Sequence, residues 1–352
     1  MHMADALVSP AVGGTMWAAS AGLIGYCSRK VKRELDNGKV PLMGVLGAFI
    51  FAAQMINFSI PATGSSGHLG GGMILAILLG PHAAFLTIAS VLTVQALFFA
   101  DGGLLALGCN IFNLGFFPCL IAYPFIYKKI TGHRATRTRI VTGALLASLV
   151  GLQMGALGVV MQTVFSGITE LPFKSFILLM QPIHLAIGLV EGVATAAVVL
   201  FVWKSRPEIL EKAASAVPLG GLPLKNILAG IVMATLVIGG AFSWFASTHP
   251  DGLEWSMTKT SGTEELKTPE TGVHDSLSRI QQTLSFLPDY GFKSSARPEK
   301  QGAAAWPGVD AGTTLSGLIG GALTLGMVAL IGFFIKKRKN QLPGGGDRGP
   351  GM

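Results

Sequence analysis

The first two residues, Met1-His2, put three nitrogen donors into one dipeptide: a terminal amine, the first backbone amide and an imidazole. Amine and amide of adjacent residues close a five-membered ring on a metal. The His2 amide and its own Nδ1 close a six-membered ring. Once the amide is deprotonated the three nitrogens lie in one plane, and an imidazole from elsewhere completes a square of four, a set that suits Ni(II) or Cu(II). A histidine after the initiating methionine also arises by chance, so the dipeptide needs a partner. His68 is a candidate. It ends the stretch Ser59-Ile60-Pro61-Ala62-Thr63-Gly64-Ser65-Ser66-Gly67, whose glycines allow tight turns, and it enters the next apolar run. A helix N-terminus disfavours cations, so a cation there must be held by ligands; the competing reading is a turn with His68 bonded to backbone. His184 and Glu191 share a face of one apolar run, ~10 Å apart along a helix axis. A carboxylate inside a membrane is costly unless partnered, so Glu191 is either a structural hydrogen-bond partner or a relay. Asp101, Asn110 and Asn113 pose the same question, whereas His82, after Pro81, reads as a turn residue.

These groups must be positioned by an unusually apolar chain. Of 352 residues, 50% are hydrophobic and 12% charged, against ~25% charged in soluble domains. That balance excludes a disordered chain and an ordinary cytosolic enzyme. Three cysteines without a CxxC pair exclude a disulfide framework and a zinc ribbon. There is no GxxxxGK[ST] or HExxH, and no GxSxG or GxGxxG placed between a strand and a helix, so no P-loop supplies energy from within.

Nine apolar runs lie at 10–26, 40–59, 69–80, 83–100, 104–126, 140–165, 176–203, 226–247 and 314–335. Most reach the ~20 residues that span a bilayer. The run 69–80 is short and is either re-entrant or shielded by neighbours. Nineteen of the 26 Lys and Arg fall in four clusters, at 29–39, 128–139, 204–225 and 336–348. If all nine runs cross, these clusters share the cytoplasmic side. The run 69–80 is therefore counted as a crossing, with the N-terminus extracytoplasmic and the C-terminus cytoplasmic. The +8 net charge is thus explained by topology, and no nucleic-acid partner is expected. A cleaved signal peptide ending near Ala18-Ala19-Ser20-Ala21 is disfavoured, because Asp5 precedes the apolar run and the basic residues follow it.

Two modules emerge. Residues 1–203 hold seven crossings; 204–225 is a cytoplasmic linker; 226–335 is a helix, a polar extracytoplasmic segment at 248–313 and a final helix; 336–352 is a basic, disordered tail. The expected class is an all-α polytopic membrane protein. Leu277, Ile280 and Leu284 recur at helical spacing, which predicts one short amphipathic helix. The external segment has His249 and His274 but no ligand cluster, so its removal is expected to slow uptake while leaving metal binding nearly intact. Gly44, Ala48 and Ala52 form a small-residue face that permits close helix packing, within the protein or with another subunit.

The combination of Met1-His2, Gln54-Met55-Ile56-Asn57-Phe58 leading to Ser66-Gly67-His68-Leu69-Gly70-Gly71, and Phe99-Ala100-Asp101-Gly102-Gly103-Leu104-Leu105-Ala106-Leu107-Gly108 resembles the CbiM/NikM substrate-binding components of energy-coupling-factor (ECF) transporters for cobalt and nickel. Pro250-Asp251-Gly252-Leu253-Glu254, followed by Pro288-Asp289-Tyr290-Gly291-Phe292, resembles the PDGLE segment of the NikN-type component. The resemblance implies a seven-helix ECF substrate-binding unit plus two further transmembrane helices flanking the extracytoplasmic segment. It implies Met1, His2 and His68 as metal ligands, with Asn57 and Ser66 around them, and no intrinsic cofactor. Ni2+, or less favourably Co2+, is then the transported substrate, and a transmembrane coupling subunit with cytoplasmic ABC ATPases the partners. The Gly44–Ala48–Ala52 face becomes the candidate docking surface for that subunit. Met3-Ala4-Asp5-Ala6 and His82 depart from the family pattern without removing a ligand. The alternatives are a polytopic membrane enzyme using His184 and Glu191, or a metal sensor.

Overall fold

The computed structural model describes residues 1–132, 135–263, 266–269, 271–293 and 307–340, with side chains through 337. Nearly all regular structure is helical. α1 (Pro10–Val31) starts on a Ser9 cap, whose hydroxyl accepts from Val12 N, with Pro10 at the first helical position, where its missing N–H costs nothing. α2 (Lys39–Gln54) follows. Residues read as a turn then form a short hairpin, β1 (Phe58–Ile60) against β2 (Ser65–Gly67), antiparallel with Ser59 opposite Ser66. Strands of three residues leave no period to read.

α3 (Gly72–Leu79) is entirely buried and only eight residues long, a rise of ~12 Å. Gly71 gives it its start. Its φ is +77°, and a β-carbon there would lie 2.6 Å from Ile50. α3 nevertheless runs from the His68 loop to Gly80, beside Ala213 and Glu34 at the opposite end of the molecule. α4 (Pro81–Phe99) returns. α5 (Leu107–Thr131) widens to i→i+5 turns from Phe112 to Tyr127, where Pro118 and Pro124 lack the N–H that an α-helical ladder needs. α6 (Arg137–Ser166) and α7 (Phe173–Ser205) pack along each other. The stretch expected as a linker contains α8 (Pro207–Ser215), which buries Ile209, Leu210 and Ala213.

The second module comprises α9 (Lys225–Gly240), α10 (Gly252–Ser261), α11 (Gly272–Leu284) and α12 (Ala311–Asn340). α4, α5, α6, α7 and α12 are long and apolar enough to cross a membrane; α2 and α9 are shorter apolar helices. The apolar runs thus become helices that alternate between two ends. At one end Lys128 Nζ donates to Ala214 O, Lys336 Nζ to Asn37 Oδ1 and Gly220 N to Asp36 Oδ2, while Lys39 pairs with Glu34. The described members of all four basic clusters lie there. Arg134 and Arg348 fall outside the described residues, as does most of the 336–352 tail.

One expectation changes. The Gly44–Ala48–Ala52 face is not free for a coupling subunit: Gly44 lies against Leu325, Ala48 beside Gly321 and Ala52 against Gly239, so the chain's own α12 and α9 cover it. The small residues serve close packing within the protein. α11 is helical as predicted, but Ile280 and Leu284 are exposed, and the helix docks through His274, Leu277 and Gln281. His274 Nε2 meets Val8 O at 2.9 Å, and Gln281 Nε2 donates to Ala96 O and Gly102 O. The polar face found backbone acceptors, which outweighed the apolar spacing.

Candidate functional site

At the end away from the basic clusters, residues 1–8 are threaded into the core. Met1 is 5% exposed and Met3 fully buried. An extended buried segment needs partners for its backbone, and the polar residues of the α4–α5 region supply them. Met3 N donates to Asn110 Oδ1 at 2.8 Å, while Met3 O accepts from Gly103 N at 3.0 Å and Asn110 Nδ2 at 3.2 Å. Asp5 Oδ1 accepts from Ala106 N. Asn113 is paired reciprocally with Gln162. Asn110 thus holds the entering segment, and Asn113 ties α5 to α6.

This threading delivers the Met1 amine to His68. The amine lies 2.9 Å from His68 Nε2. His68 Nδ1 faces Leu69 O at 3.1 Å, which places the ring proton on Nδ1 and leaves the Nε2 lone pair toward the amine. Burial, then the neighbouring amine and His2, push the His68 pKa down to about 3, so the ring stays neutral. Glu191 fixes the loop from below, its carboxylate accepting from Gly70 N at 2.9 Å and Gly71 N at 3.1 Å. Of the two roles open for Glu191, the structure gives it the structural one.

His2 stacks on His68, ring centroids 5.0 Å apart and planes within 5°. Its Nδ1 lies 3.0 Å from Asp101 Oδ1, and its Nε2 is buried with no hydrogen-bond partner among the described residues. The dipeptide and His68 are therefore together, with the His2 Nδ1 turned to a carboxylate. Burial would raise the Asp101 pKa, but His2 and the Tyr290 hydroxyl, which donates to Oδ2 at 2.5 Å, hold it below the usual range. Among the described residues no group of three or more His, Cys, Asp or Glu side chains converges as a metal site. A cation held at the dipeptide draws on its main-chain nitrogen.

A residue not foreseen as part of the site comes from the second module. Asp251 Oδ2 accepts from the Met1 amine at 2.6 Å and lies 3.9 Å from His68 Nε2. Asp251 caps α10: its Oδ1 accepts from Leu253 N and Glu254 N, and Glu254 Oε2 accepts from Asp251 N. The Pro-Asp-Gly-Leu-Glu run is thus a capping box whose spare carboxylate oxygen reaches the amine. Burial opposes the charge on Asp251; the amine and His68 prevail and keep it ionised. Burial and the Asp251 charge raise Glu254 to about 7. The D-x-x-E signature was legible in the sequence; its target was not.

Asn57 and Ser66, expected around the metal, face this same loop. Asn57 O accepts from Ser247 N at 2.7 Å. Ser66 N donates to Pro250 O and Ser66 Oγ to His249 O, both at 2.8 Å. They dock the second module beside His68. An open cavity of ≈ 290 Å³, bordered by His2, Asp5, Asp101, Asp251 and Glu254, gives access to the dipeptide. His82 stands at the other end, near Glu34.

Known proteins share this architecture. Residues 2–209 match the family model for the cobalt uptake substrate-specific transmembrane region, CbiM, and residues 225–337 match the PDGLE domain. A fused nickel transport protein NikMN of Rhodobacter capsulatus is 31% identical over 310 residues, 82% of this chain and 88% of its own. The cobalt transport protein CbiM of Geobacter sulfurreducens is 26% identical over 272 residues, 75% of each chain. The crystal structure of a truncated transition metal transporter, 30% identical, superposes with a TM-score of 0.52 over 58% of this chain and 99% of that one.

Proposed function

The chain belongs to the CbiM family, carries a PDGLE domain and is a membrane-embedded component of nickel/cobalt transport; on that premise we propose that it captures Ni2+, in preference to Co2+, as the substrate-binding unit of an ECF importer. The observation that carries this reading is the convergence of the Met1 amine and the His2 ring on His68. The four nitrogens are the Met1 amine, the His2 amide, His2 Nδ1 and His68 Nε2, a set whose planar preference favours Ni(II).

Loading requires three local changes. The ammonium and the His2 amide each give up a proton to water, and the His2 ring turns its Nδ1 from Asp101 toward the amide nitrogen, its ring proton passing to Nε2. His68 needs no change, because its Nε2 already faces the amine. A metal-bound amine keeps N–H groups, so Asp251 continues to accept from it. Acidic groups at the mouth of the open cavity concentrate divalent cations. The basic end faces the cytoplasm by the positive-inside rule, which puts the site outside. With no P-loop in the chain, energy comes from separate ATPase subunits through a transmembrane coupling subunit that docks elsewhere than on the Gly44–Ala48–Ala52 face.

The test is equilibrium nickel binding to the purified chain in detergent, with mass spectrometry establishing Met1 as the mature first residue. His2→Ala and His68→Ala should each weaken binding by at least ~100-fold, the upper end of what groups merely orienting a ligand cost. His82→Ala should leave it unchanged. Retained affinity in His68→Ala, or a mature chain beginning near Ala21, would refute the assignment.

A further inference from the structure

A second, much smaller cavity of ≈ 10 Å³ has Met1, His68, Asp251 and His184 as its polar lining. His184 belongs to α7 and is 1% exposed. Its Nδ1 faces Met180 O at 2.8 Å. A carbonyl can only accept, so Nδ1 carries the proton and Nε2 carries a lone pair. That Nε2 is buried and has no hydrogen-bond partner among the described residues. A core histidine placed for structure alone would use both nitrogens, because an unmet buried acceptor is destabilising.

We propose that His184 is a further ligand for the transported metal, beside the terminal chelate. This rests on the nickel-binding reading above and extends it to a second position. The cavity is at the lower limit for one water molecule, which needs ~10–15 Å³, and a bare divalent cation is smaller than a water. Such a space admits the ion stripped of its hydration shell and offers it the His68 and His184 imidazoles. Neutral imidazole is a common ligand for nickel, and the Nδ1–H bond to a backbone carbonyl is the arrangement that orients a metal-binding ring. The PDGLE helix borders the cavity at Gly252, where a β-carbon would lie 3.0 Å from His184 Cε1. His68 borders this cavity and meets the amine, so the metal can pass from the chelate to the His68–His184 pair while keeping one ligand throughout. His184 is then the first inward station.

The test removes the chelate and asks what remains. The full-length chain is extended by residues ahead of Met1, verified as uncleaved, and titrated with Ni2+ alone. The expected result is residual, weaker binding, with two imidazoles at the nickel by X-ray absorption. Adding His184→Ala should lower that residual affinity by about tenfold or more and leave one imidazole. His184→Gln, which keeps a donor for the Met180 carbonyl, should lower it equally. Residual binding indifferent to either substitution, restored by Gln, or absent altogether overturns the proposal. Undiminished high-affinity binding in the extended chain would instead overturn the terminal chelate itself.

Discussion

The two modules meet along two seams of different chemistry. In one, α9 and α12 lie on α2 through small residues, Gly239 against Gly317 and Ala52, and Gly320 against Phe51. In the other, the described residues of 247–290 add polar contacts, Ser247 to Asn57, Pro250 to Ser66, Gln281 to Ala96 and Gly102, His274 to Val8, to the buried Leu253, Met257 and Leu287 and the stacking of Tyr290 on Phe99. The polar seam ends on the ligand segment at two points, Asp251 on the Met1 amine and Tyr290, through Asp101, on His2. Close packing joins the modules, and hydrogen bonding couples one of them to the site. The expectation that the external segment is separate from metal binding is therefore replaced by one in which its removal weakens binding.

Substitutions can separate the seams. Asp251→Asn removes the charge that faces the amine; a hydrogen bond to a charged group is worth ~1.5–3 kcal/mol, so nickel affinity measured calorimetrically should fall by about 10–100-fold. Gly320→Leu attacks the apolar seam, where even a β-carbon would sit 2.0 Å from the Phe51 ring. Overpacking costs ~1–3 kcal/mol, read as a lower thermal unfolding midpoint, with the affinity of the folded protein within threefold of the parent, ~0.6 kcal/mol. A fall in affinity matching that of Asp251→Asn would mean the seams are not separable. Tyr290→Phe leaves Asp101 in place but removes one donor, ~0.5–1.5 kcal/mol of stability, and should weaken nickel binding severalfold with only a modest fall in the midpoint. Ile280→Ser, on the exposed face of α11, should change stability by no more than ~0.5 kcal/mol; a larger loss in chemical denaturation would show that this face is covered.

How much was legible differs between the same two zones. The membrane helices announce themselves because a bilayer demands long apolar runs, and the eight-residue α3, counted as a crossing from the charge balance of the loops, links the two ends of the molecule. Met1, His2 and His68 are readable because chelation depends on residue type and spacing. Asp251 is not, because its role depends on a contact 250 residues away in sequence. Nor is the division of labour between His184 and Glu191: both lie on one helical face, yet Glu191 holds two glycine amides while His184 keeps an unpartnered nitrogen. The docking face of α11 was not legible for a related reason. Apolar periodicity predicts which residues prefer burial, whereas His274 and Gln281 were drawn in by backbone groups that only the folded first module presents.

The central claim is that the terminal amine is a ligand, and inserting residues ahead of Met1 tests it most directly, since every side chain is kept and only the amine moves. Nickel titration of the extended chain, shown by mass spectrometry to be uncleaved and by its unfolding midpoint to be folded, should give an affinity at least ~100-fold below that of the native chain, about 2.7 kcal/mol. An extended chain that binds nickel as tightly as the native one would contradict the account.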